Sequence, residues 1–178
     1  PDIDLTSRVL GIDGQPGAME YYTREDCVVC CTEEAARIIE RLGAKVTWMQ
    51  PSGARIAAGE TFLTCEGPAS SLHQAWKVCL NLFDHASAVA TNTRKMVDAV
   101  HAANPRCEVL TTRKSQPGCK DLLTKAVMAG GAFPHRLGLS ETVLVFDHHI
   151  AFLGGFDAFV ARIPGFMAHC GEKKVFVE

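Results

Sequence analysis

The stretch Glu108–Ile150, EVLTTRKSQPGCKDLLTKAVMAGGAFPHRLGLSETVLVFDHHI, decides how the rest of the chain is read. Glu108 to Thr112 reads as a short buried strand, with Arg113-Lys114 where it runs out into a loop. The turn residues Ser115-Gln116-Pro117-Gly118 lead into a helix expected from about Lys120 to Met128, which Gly130-Gly131 stops. His135-Arg136 come next, just before a short apolar segment. Thr142 to Phe146 then reads as a further buried strand with Asp147-His148-His149 at its exit. Strands alternating with helices pair in parallel, and in such folds ligands bind at the strand ends.

Arg113-Lys114 and His135-Arg136 converge more naturally on an anion than on each other. Arginine offers a planar fork to carboxylate or phosphate, lysine a compact charge, and histidine a proton near neutral pH. Alone, each pair reads as a solvated loop or a capped surface residue. Two at strand ends, with Gly130-Gly131 between them, point to a site.

Nearly half of the 178 residues are apolar and the net charge is −2, which suits an intracellular α/β protein without a nucleic-acid footprint. No signal peptide opens the sequence and no apolar run is long enough for a bilayer, so a cytoplasmic location away from membranes is expected. The eight cysteines include Cys27, Cys30 and Cys31, yet the rest are scattered singly, without a second C-x-x-C to complete a zinc set. They read as small buried hydrophobes, with a thiol or metal module on Cys27, Cys30 and Cys31 as a distant alternative.

Earlier in the chain, strands are expected at Gly17 to Thr23, Asp26 to Cys31, Val46 to Met49, Arg55 to Ala58 and Thr61 to Cys65, around a helix from Thr32 to Leu42. This describes an N-terminal α+β sandwich domain over residues 1–70. A long helical region, residues 71–104, follows, with Leu72, Trp76, Leu80 and Phe83 at helical spacing and a break expected near Ala86 to Ala90. Residues 105–178 carry the alternating strands and helices. These include a helix from Phe156 to Arg162 ended by Pro164-Gly165, and a last strand, Lys174 to Glu178.

TTRKSQPG, KAVMAGG, HRLGL and the strand ending in DHHI, together with LNLFDHASAVATNT upstream, resemble the motif series of the quinolinate phosphoribosyltransferase (nicotinate-nucleotide pyrophosphorylase) family. They stand in the family's order along nearly the whole chain, which is more specific than any single motif. HRLGLSETVLVF is most similar to the ModD branch, pyrophosphorylases associated with molybdenum transport. Asp2 to Thr6 resembles the family's G-D-x-T entry. The resemblance implies an α/β barrel after the sandwich domain, truncated here after about three strands, so that a fragment of a longer polypeptide is expected.

What the resemblance implies for chemistry is transfer of phosphoribose from phosphoribosyl pyrophosphate to a pyridine nitrogen, with Mg2+ bridging the pyrophosphate. Arg113, His135 and Arg136 would bind the base's carboxylates and Lys114 the phosphoribosyl donor. Glu178 would face the ribose and, indirectly, the metal. Lys77 stands where the family carries an arginine reaching into the partner subunit's site, which implies a homodimer or higher homo-oligomer with shared sites. Phe146 replaces a carboxylate-binding lysine. An uncompensated buried carboxylate is costly, so an altered acceptor is expected, beside the plainer reading of Phe146 as core packing. A different functional class, a non-catalytic oxyanion (molybdate) binder on the same scaffold, uses the same four cationic residues.

Overall fold

The computed structural model describes residues 3–178. Pro1 and Asp2, with which the G-D-x-T resemblance begins, lie outside the described residues. The chain divides into two compact units, one reaching Pro134 and the other running from His135 to Glu178.

In the first unit, a short helix α1 (Leu5–Val9) precedes an antiparallel sheet of order β1-β5-β3, formed by β1 (Pro16–Tyr22), β3 (Lys45–Met49) and β5 (Thr61–Pro68). A two-stranded ribbon pairs β2 (Cys27–Val28) with β4 (Arg55–Ile56). Helix α2 (Thr32–Arg41) buries Ala35 and Ile39 in the core, and Gly43 follows its end at φ +91°, where a residue with a Cβ would be strained. Central strand β5 supplies Phe62, Leu63 and Cys65 to the core. The rings of Tyr21 and Phe62 meet Phe83 of helix α3 (Ala69–Ala103) edge-on at 5.2 and 4.9 Å, fixing α3 to the sheet.

Helix α3 runs unbroken through Ala86 to Ala90, where a break was expected. The small residues there are a packing seam. Ala86 and Ala90 are buried with Val28, Cys30, Cys31 and Ala126, and side chains large enough to shield a helix would hold these elements apart. The hydroxyls between them serve the neighbouring ribbon: Val28 N–H donates to Thr91 Oγ1 at 2.9 Å and Cys30 N–H to Ser87 Oγ at 3.0 Å.

Against this seam lies helix α4 (Lys120–Ala129), followed by Gly130-Gly131. A Cβ on Gly130 would stand 2.6 Å from the Ala90 carbonyl oxygen and 2.5 Å from Thr93 Cβ, so only glycine permits this approach. Lys125 Nζ reaches Glu33 at 2.8 Å and Glu34 at 2.6 Å, both in the first turn of α2. Ser52 adds two hydrogen bonds to Glu33, from its N–H at 2.9 Å and its hydroxyl at 2.5 Å.

Strand β6 (Leu110–Thr111) pairs in parallel with β7 (Phe133–Pro134). The buried strand expected over Glu108 to Thr112 is thus only two residues long and half in solvent, Leu110 being 51 % exposed. In the second unit, β8 (Val143–Val145) and β9 (Val175–Val177) pair in parallel, with Val145 the buried member of β8. Asp147-His148-His149, expected at a strand exit, open the short helix α5 (Asp147–Phe152). Helix α6 (Phe156–Cys170) passes through Pro164, where an end was expected. Phe159 and Phe166, two turns apart on either side of the proline, stack at 5.8 Å and hold the two halves in line. Parallel pairing is therefore present, but as two separate two-stranded sheets; a parallel barrel closes with eight strands, and the described residues form no closed barrel.

All eight cysteines are free. Cys30, Cys31, Cys65 and Cys79 are buried, but Cys107 is exposed, in a segment between α3 and β6 that is itself largely in solvent. No helix among the described residues is long and apolar enough to cross a membrane.

Candidate functional site

Arg113 and Lys114 extend from the C-terminal end of β6 as exposed side chains. Their loop is held by its own residues: Lys114 N–H donates to the Thr112 side-chain Oγ1 at 3.4 Å, and Ser115 N–H to the Arg113 carbonyl at 3.0 Å. Both cations thus stand in water at a strand end, and among the described residues neither is ion-paired, so an anion can be taken without first breaking such a pair.

Lys77 lies elsewhere in the first unit, on the exposed side of α3. Its ammonium sits 4.1 Å from the centroid of the Trp76 ring, a cation–π contact that orients the charge. Both line a cleft of about 820 Å³ between α3 and the β1–β2 connection, together with Tyr22, Arg24, Asp84 and Lys95. Neither Trp76 as a support for Lys77 nor this cleft was apparent from the sequence, where Trp76 read as part of an apolar stripe.

His135 and Arg136 follow β7 directly in the chain and belong to the second unit, so each cationic pair has the surroundings of its own unit. Arg136 is buried, at 9 % exposure, and donates from Nη1 to the Thr142 carbonyl at 3.3 Å. It braces the loop before β8 while leaving its remaining N–H groups for other partners. The His135 ring meets Phe176 of β9 edge-on at 4.7 Å.

Strands β8 and β9 bring Phe146 and Glu178 together. Val145 pairs with Val177, and Glu178 N–H continues the ladder to the Val145 carbonyl at 2.9 Å. The next residues, Phe146 and Glu178, are therefore neighbours at the C-terminal edge of the sheet. Side chains alternate along a strand, so they share a face with Leu144 and Phe176. Phe146 packs in parallel on His148, with centroids 5.4 Å apart and planes 13° apart, and its N–H donates to His149 Nδ1 at 2.9 Å. It is partly accessible, not a sealed core residue. The register found here makes Phe176 a site neighbour that sequence reasoning missed; the signal was its place two residues before Glu178.

The exposed Glu178 carboxylate fits the way magnesium is commonly held, by one or two carboxylates plus substrate phosphates.

Residues 4–87 match the N-terminal domain of quinolinate phosphoribosyl transferase, and residues 89–178 match its C-terminal domain. The chain is 43 % identical over 178 residues to a Rhodobacter capsulatus protein named "Putative pyrophosphorylase ModD", covering all of this chain and 68 % of the relative. A protein of the same name from Escherichia coli O157:H7 is 31 % identical over 98 % of this chain and 62 % of its own length. Nicotinate-nucleotide pyrophosphorylase (carboxylating) of Mycobacterium leprae is 33 % identical over 85 % of this chain and 54 % of its own. Among solved structures, nicotinate-nucleotide pyrophosphorylase from Francisella tularensis superposes with a TM-score of 0.82 at 26 % identity, covering 98 % of this chain and 60 % of that one. The chain thus spans between about half and two thirds of the length of these relatives. With both family domains matched in order over nearly every residue, and a relative 43 % identical along the whole of this chain, the chain belongs to the quinolinate phosphoribosyltransferase family.

Proposed function

We propose that this chain is part of a cytoplasmic phosphoribosyltransferase that moves phosphoribose from phosphoribosyl pyrophosphate to the ring nitrogen of a pyridine carboxylate or related base. The observation that carries this reading is the placing of Arg113-Lys114 at the end of β6 and of Glu178 and Phe146 at the ends of β9 and β8. Cations and a carboxylate at the C-terminal ends of parallel strands are what a polyanionic donor and a developing sugar cation require.

In the reaction, the bond from the sugar's anomeric carbon to pyrophosphate oxygen breaks and a bond to the ring nitrogen forms, with pyrophosphate leaving. The sugar passes through an oxocarbenium-like state. Lys114 binds the donor's phosphates, and Arg113, His135 and Arg136 hold the acceptor's carboxylate. Glu178 sets a negative charge beside the ribose, where positive charge develops. Magnesium, when bound, offsets the charge of the pyrophosphate oxygens. Lys77 serves the site of a second copy in a homodimer. A lysine there keeps the charge without arginine's bidentate fork.

The test is calorimetric titration of the intact gene product with phosphoribosyl pyrophosphate and Mg2+, followed by quinolinate, nicotinate and molybdate. The expected result is saturable, magnesium-dependent donor binding that Lys114→Ala weakens about tenfold or more. Molybdate binding without donor binding would replace this reading with an oxyanion-binding protein.

A further inference from the structure

The C-terminal edge of the β8–β9 sheet is aromatic where an anion-binding site would need cations. Phe146 lies partly open to solvent with His148 stacked parallel to it at 5.4 Å, and His149 stands 4.3 Å from His148. Phe176 is on the same face, two residues before Glu178, with the His135 ring against it. Of the second unit's cations, Arg136 is buried, with one guanidinium N–H group engaged by the Thr142 carbonyl and the rest left for a single carboxylate. Lys173 and Lys174 precede β9, at the opposite end of the strands. The full charges that follow these strands are carboxylates, Glu178 after β9 and Asp147 next to Phe146, both exposed, and they repel an anionic group of the acceptor.

An aromatic face carries a negative quadrupole, so it disfavours an anion laid against it and favours a planar ring or a cation. Resting on the phosphoribosyl-transfer reading, we propose that Phe146 and His148 form the acceptor-selecting face of this site. They take a heteroaromatic ring with at most one carboxylate, turned so that no anionic group meets Phe146. The same face suits the reaction's course. The acceptor nitrogen enters neutral and becomes quaternary and positive as its bond to the sugar forms, and the ring then gains a cation–π interaction that the free base lacks. His149 acts as a positioning residue: by accepting the Phe146 N–H through Nδ1 at 2.9 Å, it fixes the backbone from which the Phe146 ring projects.

The experiment measures binding of nicotinate and of quinolinate to the intact gene product, each with and without phosphoribosyl pyrophosphate and Mg2+, in the wild type and three variants. The expected wild-type preference is about tenfold or more for the monocarboxylate. Phe146→Lys reverses the preference, and His148→Asn weakens nicotinate several-fold while leaving quinolinate within about twofold. Phe146→Leu, which keeps an apolar group and so guards against a folding defect of the lysine variant, removes the preference without reversing it. A wild type that prefers quinolinate, or a ratio that Phe146→Leu and His148→Asn leave unchanged, overturns the proposal. Donor binding separates the two claims. Donor bound with an unchanged acceptor ratio sinks the aromatic face alone. A monocarboxylate preference that follows Phe146 without any donor binding sinks phosphoribosyl transfer and keeps the face as a ligand site.

Discussion

Replacing Lys125 by methionine tests whether ion pairing fastens α4 to the N-terminal layer. Lys125 Nζ lies 2.8 Å from Glu33 and 2.6 Å from Glu34, and the Ser52 hydroxyl holds Glu33 from the other side. Partial burial pushes the Glu33 carboxyl up, but the bonds from Lys125 and Ser52 outweigh it and bring the carboxyl from the ordinary 4.5 down to about 2. Fully retained, that shift corresponds to roughly 3 kcal/mol. More than a third of the Glu33 side chain is in solvent, and screening reduces the figure to about 1–2 kcal/mol. Methionine keeps the length and the apolar stem, so Lys125→Met removes the charge with little loss of packing. Urea unfolding followed by circular dichroism near pH 7 should move the midpoint down by about 0.5–1 M.

The sign of the pH dependence follows from the direction of the shift. A carboxyl depressed in the folded state contributes stability that is present above 4.5 and lost as the pH falls toward about 2. Lys125 itself is pushed above 10.5: partial burial opposes this, and the two glutamates prevail, so its contribution holds below that value and is lost only in stronger alkali. The gap between wild type and Lys125→Met should therefore narrow to a few tenths of a kcal/mol near pH 2. It should also shrink in about 1 M salt. A gap equally large at both pH values and in salt would show that Lys125 acts through packing, and the ion-pair account would be wrong.

Gly130→Ala should destabilise by about 2 kcal/mol or more, because its Cβ would meet the Ala90 carbonyl at 2.6 Å. Gly14→Ala, with nothing within 4 Å, should stay within about 0.5 kcal/mol in the same denaturation series. Ile39→Ala empties a fully buried position in α2 and should cost about 2–5 kcal/mol, read as a lowered melting temperature. Arg113→Ala removes an exposed side chain and should leave the melting temperature within about 2 °C while weakening acceptor binding by calorimetry; a large loss of stability would assign Arg113 to the fold instead.

From β1 to α4 the element order was legible because its signals are local, whereas α1 and β7, too short to carry a periodic pattern, were not expected. Alternation in β5, the apolar face of α2 and the glycine after it each act over a few residues. The errors share a physical cause: they fall where a distant partner decides the outcome. The run Ala86 to Ala90 looked like a weak point in α3, yet smallness there admits the β2 ribbon and α4. Pro164 looked like a helix end, yet the Phe159–Phe166 stack spans it. Strand β6 looked buried from its apolar residues, but its parallel ladder with β7 covers only two residues, leaving Leu110 in solvent.

The candidate site was legible as residue types and not as an arrangement. Arg113, Lys114, His135, Arg136, Phe146 and Glu178 could be named from motifs, whereas their environments depend on register, and register depends on strands about thirty residues apart in the chain. Pairing Val145 with Val177 turns a phenylalanine in one motif and a glutamate in another into neighbours on a single edge. The same pairing makes Phe146 more than a missing lysine. A lysine-to-phenylalanine change buried in a core would be neutral toward ligands. At a strand end, beside a carboxylate and stacked on an imidazole, it would, on the proposed reading, change the charge and shape that an acceptor meets. On the proposed reading, specificity would come from what the edge repels as much as from what it holds.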